Sequence, residues 1–272
     1  MLDAVAQPLD PPLARPLLRG VLHEVALGVA LVAGTLLIVG ADPGRASVGA
    51  SIFAGSVALM LAASTLYHRV TWRPRARLWM RRVDHAGVYV LIAGTYTAVG
   101  LLSLHGVLEW TVLSIVWAGA LAATLTKFCW VRSPKWLSVA IAVTLGWVGI
   151  AALPQLLSSA GPAAVALLLA GGLAYTAGAL VYARGRPDPV PTIFGYHEVF
   201  HALTIVAIAC QYVAIAFFVV RSLRRSIRPA SQEDERAPTG STFRATGRAQ
   251  PARTTKKAIA TYWHATATIV SA

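Results

Sequence analysis

Tyr196-His197-Glu198-Val199-Phe200-His201 opens the last long apolar stretch of the chain, which runs on to Val220. A helix rising 1.5 Å per residue needs about 20 such residues to cross a hydrocarbon core, and residues 197–220 are long enough. On that helix His197 and His201 lie one turn apart on one face, where two uncharged imidazoles can share a metal ion. A third ligand then has to arrive from another part of the chain.

The composition points to a membrane. Of the 272 residues, 56% are hydrophobic and 13% charged, against about a quarter charged in soluble domains. The net charge is +13, but the basic residues fall in short clusters between apolar stretches, as in cytoplasmic loops and not as in a nucleic-acid groove. No nucleic-acid partner is expected. Cys129 and Cys210 both sit inside apolar segments, which gives neither a disulfide framework nor a thiolate metal site. Residues 1–20 hold Pro8, Pro11, Pro12, Arg15, Pro16 and Arg19 without an apolar core. They do not read as a cleaved signal peptide, so the first apolar span serves as its own insertion signal.

Seven stretches are long enough to span, near 21–41, 48–68, 85–103, 110–130, 135–153, 162–183 and 197–220. Turn-forming residues separate them, among them Asp42-Pro43-Gly44, Trp72-Arg73-Pro74, His105-Gly106, Ser133-Pro134, Gly161-Pro162 and Pro187-Asp188-Pro189. The expected fold is therefore all-α, an integral membrane bundle of seven transmembrane helices in the plasma membrane. A polar segment 1–20 precedes the bundle of 21–222. A basic tail of 223–272 follows, disordered by composition over 223–257 and too short to span over 258–270.

Lys and Arg set the orientation. With the N-terminus cytoplasmic, the inner loops hold Arg15 and Arg19, then Arg69, Arg73, Arg75, Arg77, Arg81 and Arg82. Lys127, Arg132 and Lys135 follow, then Arg184 and Arg186, while the outer loops hold only Arg45. This asymmetry predicts a cytoplasmic N-terminus. Arg221, Arg224, Arg225 and Arg228 pull the other way, because seven spans put them outside.

Polar residues that do not belong in lipid then collect at one depth. Ser64 and His68 close span two, Asp84 and His85 open span three, and His197 and Glu198 open span seven, all at the cytoplasmic end. Ionisable groups at that level are costly and point to function. Each has a plainer reading. A lone histidine such as His68 or His85 suits an interfacial hydrogen bond, and His23, His105 and His264 stay in that class. Ser64 suits helix packing. Asp84 suits an N-cap of span three or an ion pair.

Ser64-xxx-His68, Arg82-Val83-Asp84-His85, Ala93-Gly94-Thr95-Tyr96-Thr97 and Gly195-Tyr196-His197-Glu198-Val199-Phe200-His201 occur here in one order. Together they resemble the hemolysin III family, bacterial relatives of the progestin and adipoQ receptors, over about residues 20–222. The resemblance implies one Zn2+ near the cytoplasmic face, with His68, His197 and His201 as ligands, Ser64 and Asp84 beside it, and a water completing the sphere. The wider group includes alkaline ceramidases, which implies hydrolysis of a lipid amide, whereas the hemolysin name reflects pore formation.

Zinc on three neutral imidazoles keeps its full charge and activates water near neutral pH. Asp84 is the expected catalytic proton acceptor and Ser64 an expected stabiliser of the oxyanion. A membrane lipid with an amide or ester at headgroup depth, its acyl chain inside the bundle, is the expected substrate. A closed, four-ligand zinc would instead be structural, as in a receptor-like sensor. His197-Glu198-xx-His201 also matches the H-E-x-x-H of zinc peptidases, but beyond His201 the remaining acids, Glu233, Asp234 and Glu235, lie in the polar tail. A monomeric pore finds little support, since spans four to six carry no ionisable residue in their middles.

Overall fold

The computed structural model describes residues 16–130 and 133–236. The described chain runs through α1 (Val21–Gly40), α2 (Arg45–Arg69), α3 (Pro74–Ser103) and α4 (Gly106–Cys129). It continues through α5 (Lys135–Trp147), a 3-10 turn (Val148–Ala152), α6 (Leu153–Ala160), α7 (Pro162–Arg184) and α8 (Tyr196–Arg236). With α5, the 3-10 turn and α6 counted as one span, seven helices among the described residues are long and apolar enough to cross a membrane. The all-α, seven-span expectation holds. Apart from one isolated bridge, Val190 to Phe194, the described residues form no strand.

The helix boundaries carry two corrections. α3 starts at Pro74, not near 85, with Arg73 extended at its N-cap and Pro74 in the first turn. A proline there loses no hydrogen bond, and arginine is a good helix former whose apolar stem lies along the helix while its charge reaches out to water. Arg75, Arg77, Arg81 and Arg82 therefore ride on the opening turns of α3 and do not form a loop. At 30 residues the helix is about 45 Å long, well beyond the roughly 30 Å core. Asp84 consequently lies inside α3 and does not cap it. The backbone of α8 also continues past residue 222, to Arg236. Residues 237–272 lie outside the described residues, and with them most of the basic tail and His264.

Lipid-facing and protein-facing sides are reversed relative to a soluble protein. Val25, Val29, Val32 and Leu36 of α1 are exposed, while His23, Gly34, Leu37 and Gly40 are buried. Such a broad apolar exterior fits a bilayer, where lipid covers it. Inside, helices are held by close packing through small residues, because apolar burial gives no advantage over lipid tails. Gly34 lies against Ala54, Gly49 against Ala98 and Gly87 against Met60, while Gly171 and Gly178 let α7 sit on α8. α8 also touches α1, α2 and α3, which makes it the element about which the Arg-rich end is assembled.

The tightest approach is between α2 and α3. A methyl group at Gly94 would lie 2.5 Å from Cβ of Ser56, a buried residue. Gly94→Ala should force the two helices apart at a cost of about 1–3 kcal/mol. The expected result is a lower midpoint of thermal unfolding in detergent for Gly94→Ala, with Gly55→Ala, which meets no atom within 4 Å, unchanged or raised.

Candidate metal centre

Four helix segments meet at the Arg-rich end. Gly20, at φ +82°, turns the chain into α1, and a side chain there would strike Cβ of His68 at 2.7 Å. Only glycine meets both demands. Leu17 and Leu18 donate backbone hydrogen bonds to Thr192 and Ile193, tying the chain before α1 to the loop before α8. The start of α1 is thus held between the end of α2 and the start of α8.

At this junction His68, His197 and His201 present ligand atoms that all lie within 4.8 Å of one another. Nε2 of His68 and Nε2 of His197 are 3.2 Å apart. A tetrahedral zinc with Zn–N bonds of 2.0–2.1 Å has N···N edges of roughly 3.3 Å, so this pair is already at ligand spacing. His201 is 2% exposed, and its Nδ1 is buried with no hydrogen-bond partner. Buried imidazole nitrogens normally have partners. Three clustered histidines, one with an orphaned nitrogen, fit a metal that takes nitrogen ligands. A separation at the 4.8 Å limit closes to ligand spacing when one ring moves inward by about 1.5 Å.

Asp84 and Ser64 stand beside this cluster and outside it. The Ser64 hydroxyl is hydrogen-bonded to Asp84 and lies 2.8 Å from Nδ1 of His23. The structure thus brings together every residue singled out for the site: the three histidines at its centre, the serine and the aspartate at its edge. His85 lines the same cavity and its Nδ1 is 3.6 Å from the Asp84 carboxylate, but it stands outside the three-histidine group. Its Nδ1 lies 2.7 Å from the Arg81 carbonyl and its Nε2 3.3 Å from the Tyr182 hydroxyl. His105 sits at the opposite end of the bundle, beside Gln155.

Glu198 has a clamping role. It is 0% exposed, and one oxygen faces Nε of Arg19 at 2.7 Å while the other accepts from the Gly195 amide at 2.9 Å. That geometry joins the segment before α1 to the first turn of α8, and it turns the carboxylate about 100° around the helix from His197. The general-base role of the peptidase signature has no support here. Glu198→Gln should lower stability by on the order of 2–4 kcal/mol, because Arg19 is left without its partner in a largely closed site. The molecules that remain folded should take up added zinc as the parent does, measured per folded chain. A general base would give the reverse, full stability with activity gone.

A family model described as Haemolysin-III related matches residues 12–212. The chain belongs to that family. It is 32% identical over 188 residues to the hemolysin-3 homolog of Bacillus subtilis (strain 168), covering 68% of this chain and 85% of that protein. It is 29% identical over 205 residues to hemolysin-3 of Bacillus cereus, covering 74% and 90%. The haemolysin-III match takes in the whole junction, from the segment that carries Arg19 to the turn that carries His201.

One residue of this haemolysin-III chain belongs to the site although its sequence context does not mark it. His23 is 2% exposed and its ring stacks on His201, with centroids 3.8 Å apart and planes at 12°. It backs the His201 ring face to face while bonding Ser64, and so fixes the direction in which that ring points. Its depth is the available signal, since it lies in the first turn of α1 at the level of His68.

From the histidines a cavity of about 160 Å³ extends into the bundle between α3, α5, α7 and α8. A single water needs about a tenth of that. Ser64, Asp84, His197 and His201 line one end, and side chains such as Leu91, Ile92, Val139 and Val143 form its walls.

Proposed function

We propose that this membrane protein is a zinc-dependent hydrolase acting on an amide or ester bond of a membrane lipid, at the cytoplasmic face. The observation that carries this reading is that the three-histidine cluster, with Asp84 at its edge, opens directly into an apolar cavity inside the bundle. An acyl chain in that cavity would bring its carbonyl to the one polar, ionisable end. The Arg-rich end is taken as cytoplasmic on the distribution of positive charge.

His68, His197 and His201 would hold the ion, His23 would brace His201, and the ion would supply Lewis acidity and draw the ionisation of water toward neutral pH. Asp84, tethered by Ser64, takes the proton from a water as its oxygen adds to the carbonyl carbon. The same carboxyl then returns the proton to the departing nitrogen or oxygen as the C–N or C–O bond breaks. Once Asp84 has taken the proton, its own O–H can supply the bond to Ser64, which frees the Ser64 hydroxyl proton to donate to the developing oxyanion. An open fourth position agrees with a catalytic rather than a structural ion, and the set of ligating side chains stops at three among the described residues.

The deciding experiment is turnover of a ceramide-like amide and of matched esters by purified protein, with His68→Ala as the comparison. Turnover by the parent and none by the variant supports the hydrolase, and equal release from both rejects it. The name of the Bacillus cereus relative, hemolysin-3, favours a second reading, pore formation. Leakage of a small dye from liposomes that survives in His68→Ala would support that reading instead.

A further inference from the structure

Most polar side chains along the cavity wall are satisfied by the protein. The Tyr89 hydroxyl donates to the Ser138 carbonyl, Tyr96 donates to the Gly146 carbonyl and accepts from the Gly149 amide, and the Trp147 indole donates to Thr176. Tyr175 differs. Its hydroxyl is buried without a hydrogen-bond partner, and its side chain lines the cavity. A buried hydroxyl left unpaired in a roomy cavity is a group prepared for a guest.

Two further polar side chains accompany it. Gln211 of α8 and Thr95 of α3 line the same cavity and are joined by a hydrogen bond of 3.3 Å from the Thr95 hydroxyl to Oε1 of Gln211. Gly171 of α7 lies against Gln211, so closely that a methyl group at Gly171 would stand 3.2 Å from Cγ of that glutamine. Tyr175 is one helical turn from Gly171 on the same face. Three helices therefore bring uncharged donors and acceptors to the inner part of the cavity, with Tyr175 about one turn nearer the histidines than Gly171 and Gln211, because α7 runs antiparallel to α8. No charged side chain lines the cavity at that depth among the described residues, since Asp84 and the histidines all lie at its other end.

The depth fixes what reaches it. Gln211 lies ten residues beyond His201 on α8, about 15 Å along the axis. Thr95 lies eleven residues beyond Asp84 on α3, about 16 Å. That is half of the roughly 30 Å hydrocarbon core, close to the length of one lipid chain. A chain whose carbonyl sits at the histidines would place its distal half among these three residues. We propose that Tyr175, Gln211 and Thr95 form a second subsite that recognises an uncharged oxygen, a hydroxyl or keto group, in the distal half of a lipid chain. The inference rests on the reading that the cavity takes an acyl chain. It adds a preference among chains that the metal centre alone does not supply.

The test is equilibrium binding to the purified full chain in lipid nanodiscs. The probes are octadecanoic acid and its derivatives hydroxylated beside the carboxyl, in mid-chain, and near the methyl end. A chain hydroxylated in its distal half should bind about fivefold more tightly than the plain chain, the effect of one net hydrogen bond. The derivative hydroxylated beside the carboxyl should show no such gain. Tyr175→Phe, which removes only the hydroxyl, and Gln211→Leu should each abolish the gain while leaving the plain chain's affinity unchanged. Plain and hydroxylated chains bound equally by the parent would overturn the subsite and leave the acyl cavity standing, the result expected if water alone satisfies Tyr175. A gain that survives both variants would also overturn it. Binding of no chain at all would remove the acyl cavity and the subsite together.

Discussion

Purified from membranes grown with zinc, the parent protein should carry about one zinc per chain, and His197→Ala/His201→Ala close to none. The effect is large because two of the three proposed ligands vanish together, and a lone imidazole from His68 would not hold the ion against water. The cluster geometry makes the expectation specific. His68 and His197 already stand 3.2 Å apart at Nε2, and His201 has a buried nitrogen without a partner. The unpaired nitrogen is costly for a site that binds nothing. His85→Ala is the matched control, since His85 bonds Arg81 and Tyr182 and stands outside the cluster. It should retain the metal. Equal zinc in the parent and the double variant, by mass spectrometry of metals, would end the assignment of the site. Lipid turnover should fall together with the zinc.

The site is legible in the sequence because depth in a membrane is readable from one chain. Apolar length fixes where each span ends, and Ser64, His68, Asp84, His197 and His201 fall at ends that the alternation of spans puts on one side. Nothing in that argument needs knowledge of which helices touch. Touching is what it cannot supply. His23 meets the same depth criterion as His68, yet its significance comes from a ring stacked on His201 and from Ser64, 41 positions away. No periodicity within α1 signals either contact. Glu198 misleads for the converse reason. Its place in H-E-x-x-H is a local pattern, while its role is set by Arg19, a residue in a different segment.

The start of α3 is hidden in the sequence by a competition between two signals. The arginines from 73 to 82 lower the apolar average and suggest a loop, but their backbones form helix as readily as any other. In a membrane protein the end of the apolar stretch and the end of the helix are different places. The distinction matters to chemistry. The apolar boundary puts Asp84 at a helix mouth, free to cap. The structure instead holds it on the regular part of α3, with its side chain 15% exposed and hydrogen-bonded to Ser64. A carboxylate on a regular helix has a fixed direction, which suits a group that must meet a reacting water.

That placement leads to the second large effect, the loss of turnover in Asp84→Asn. The amide keeps the size of the side chain and can still bond Ser64, so the fold and the three-histidine cluster should be undisturbed. It cannot accept a proton. Turnover should fall by about 10²–10⁴-fold, the usual contribution of a positioned general base, with the zinc content unchanged at the parent's level. The two measurements must be read together. If Asp84 were a fourth ligand, the zinc would be closed off and structural, and Asp84→Asn would lose metal as well as activity. If Asp84 were only a partner that orients Ser64, Ser64→Ala would fall as far as Asp84→Asn. The expected order is a deep loss for Asp84→Asn, a smaller one for Ser64→Ala, and full zinc in both. That order follows from a carboxyl outside the ligand set and beside it, which is where α3 puts it.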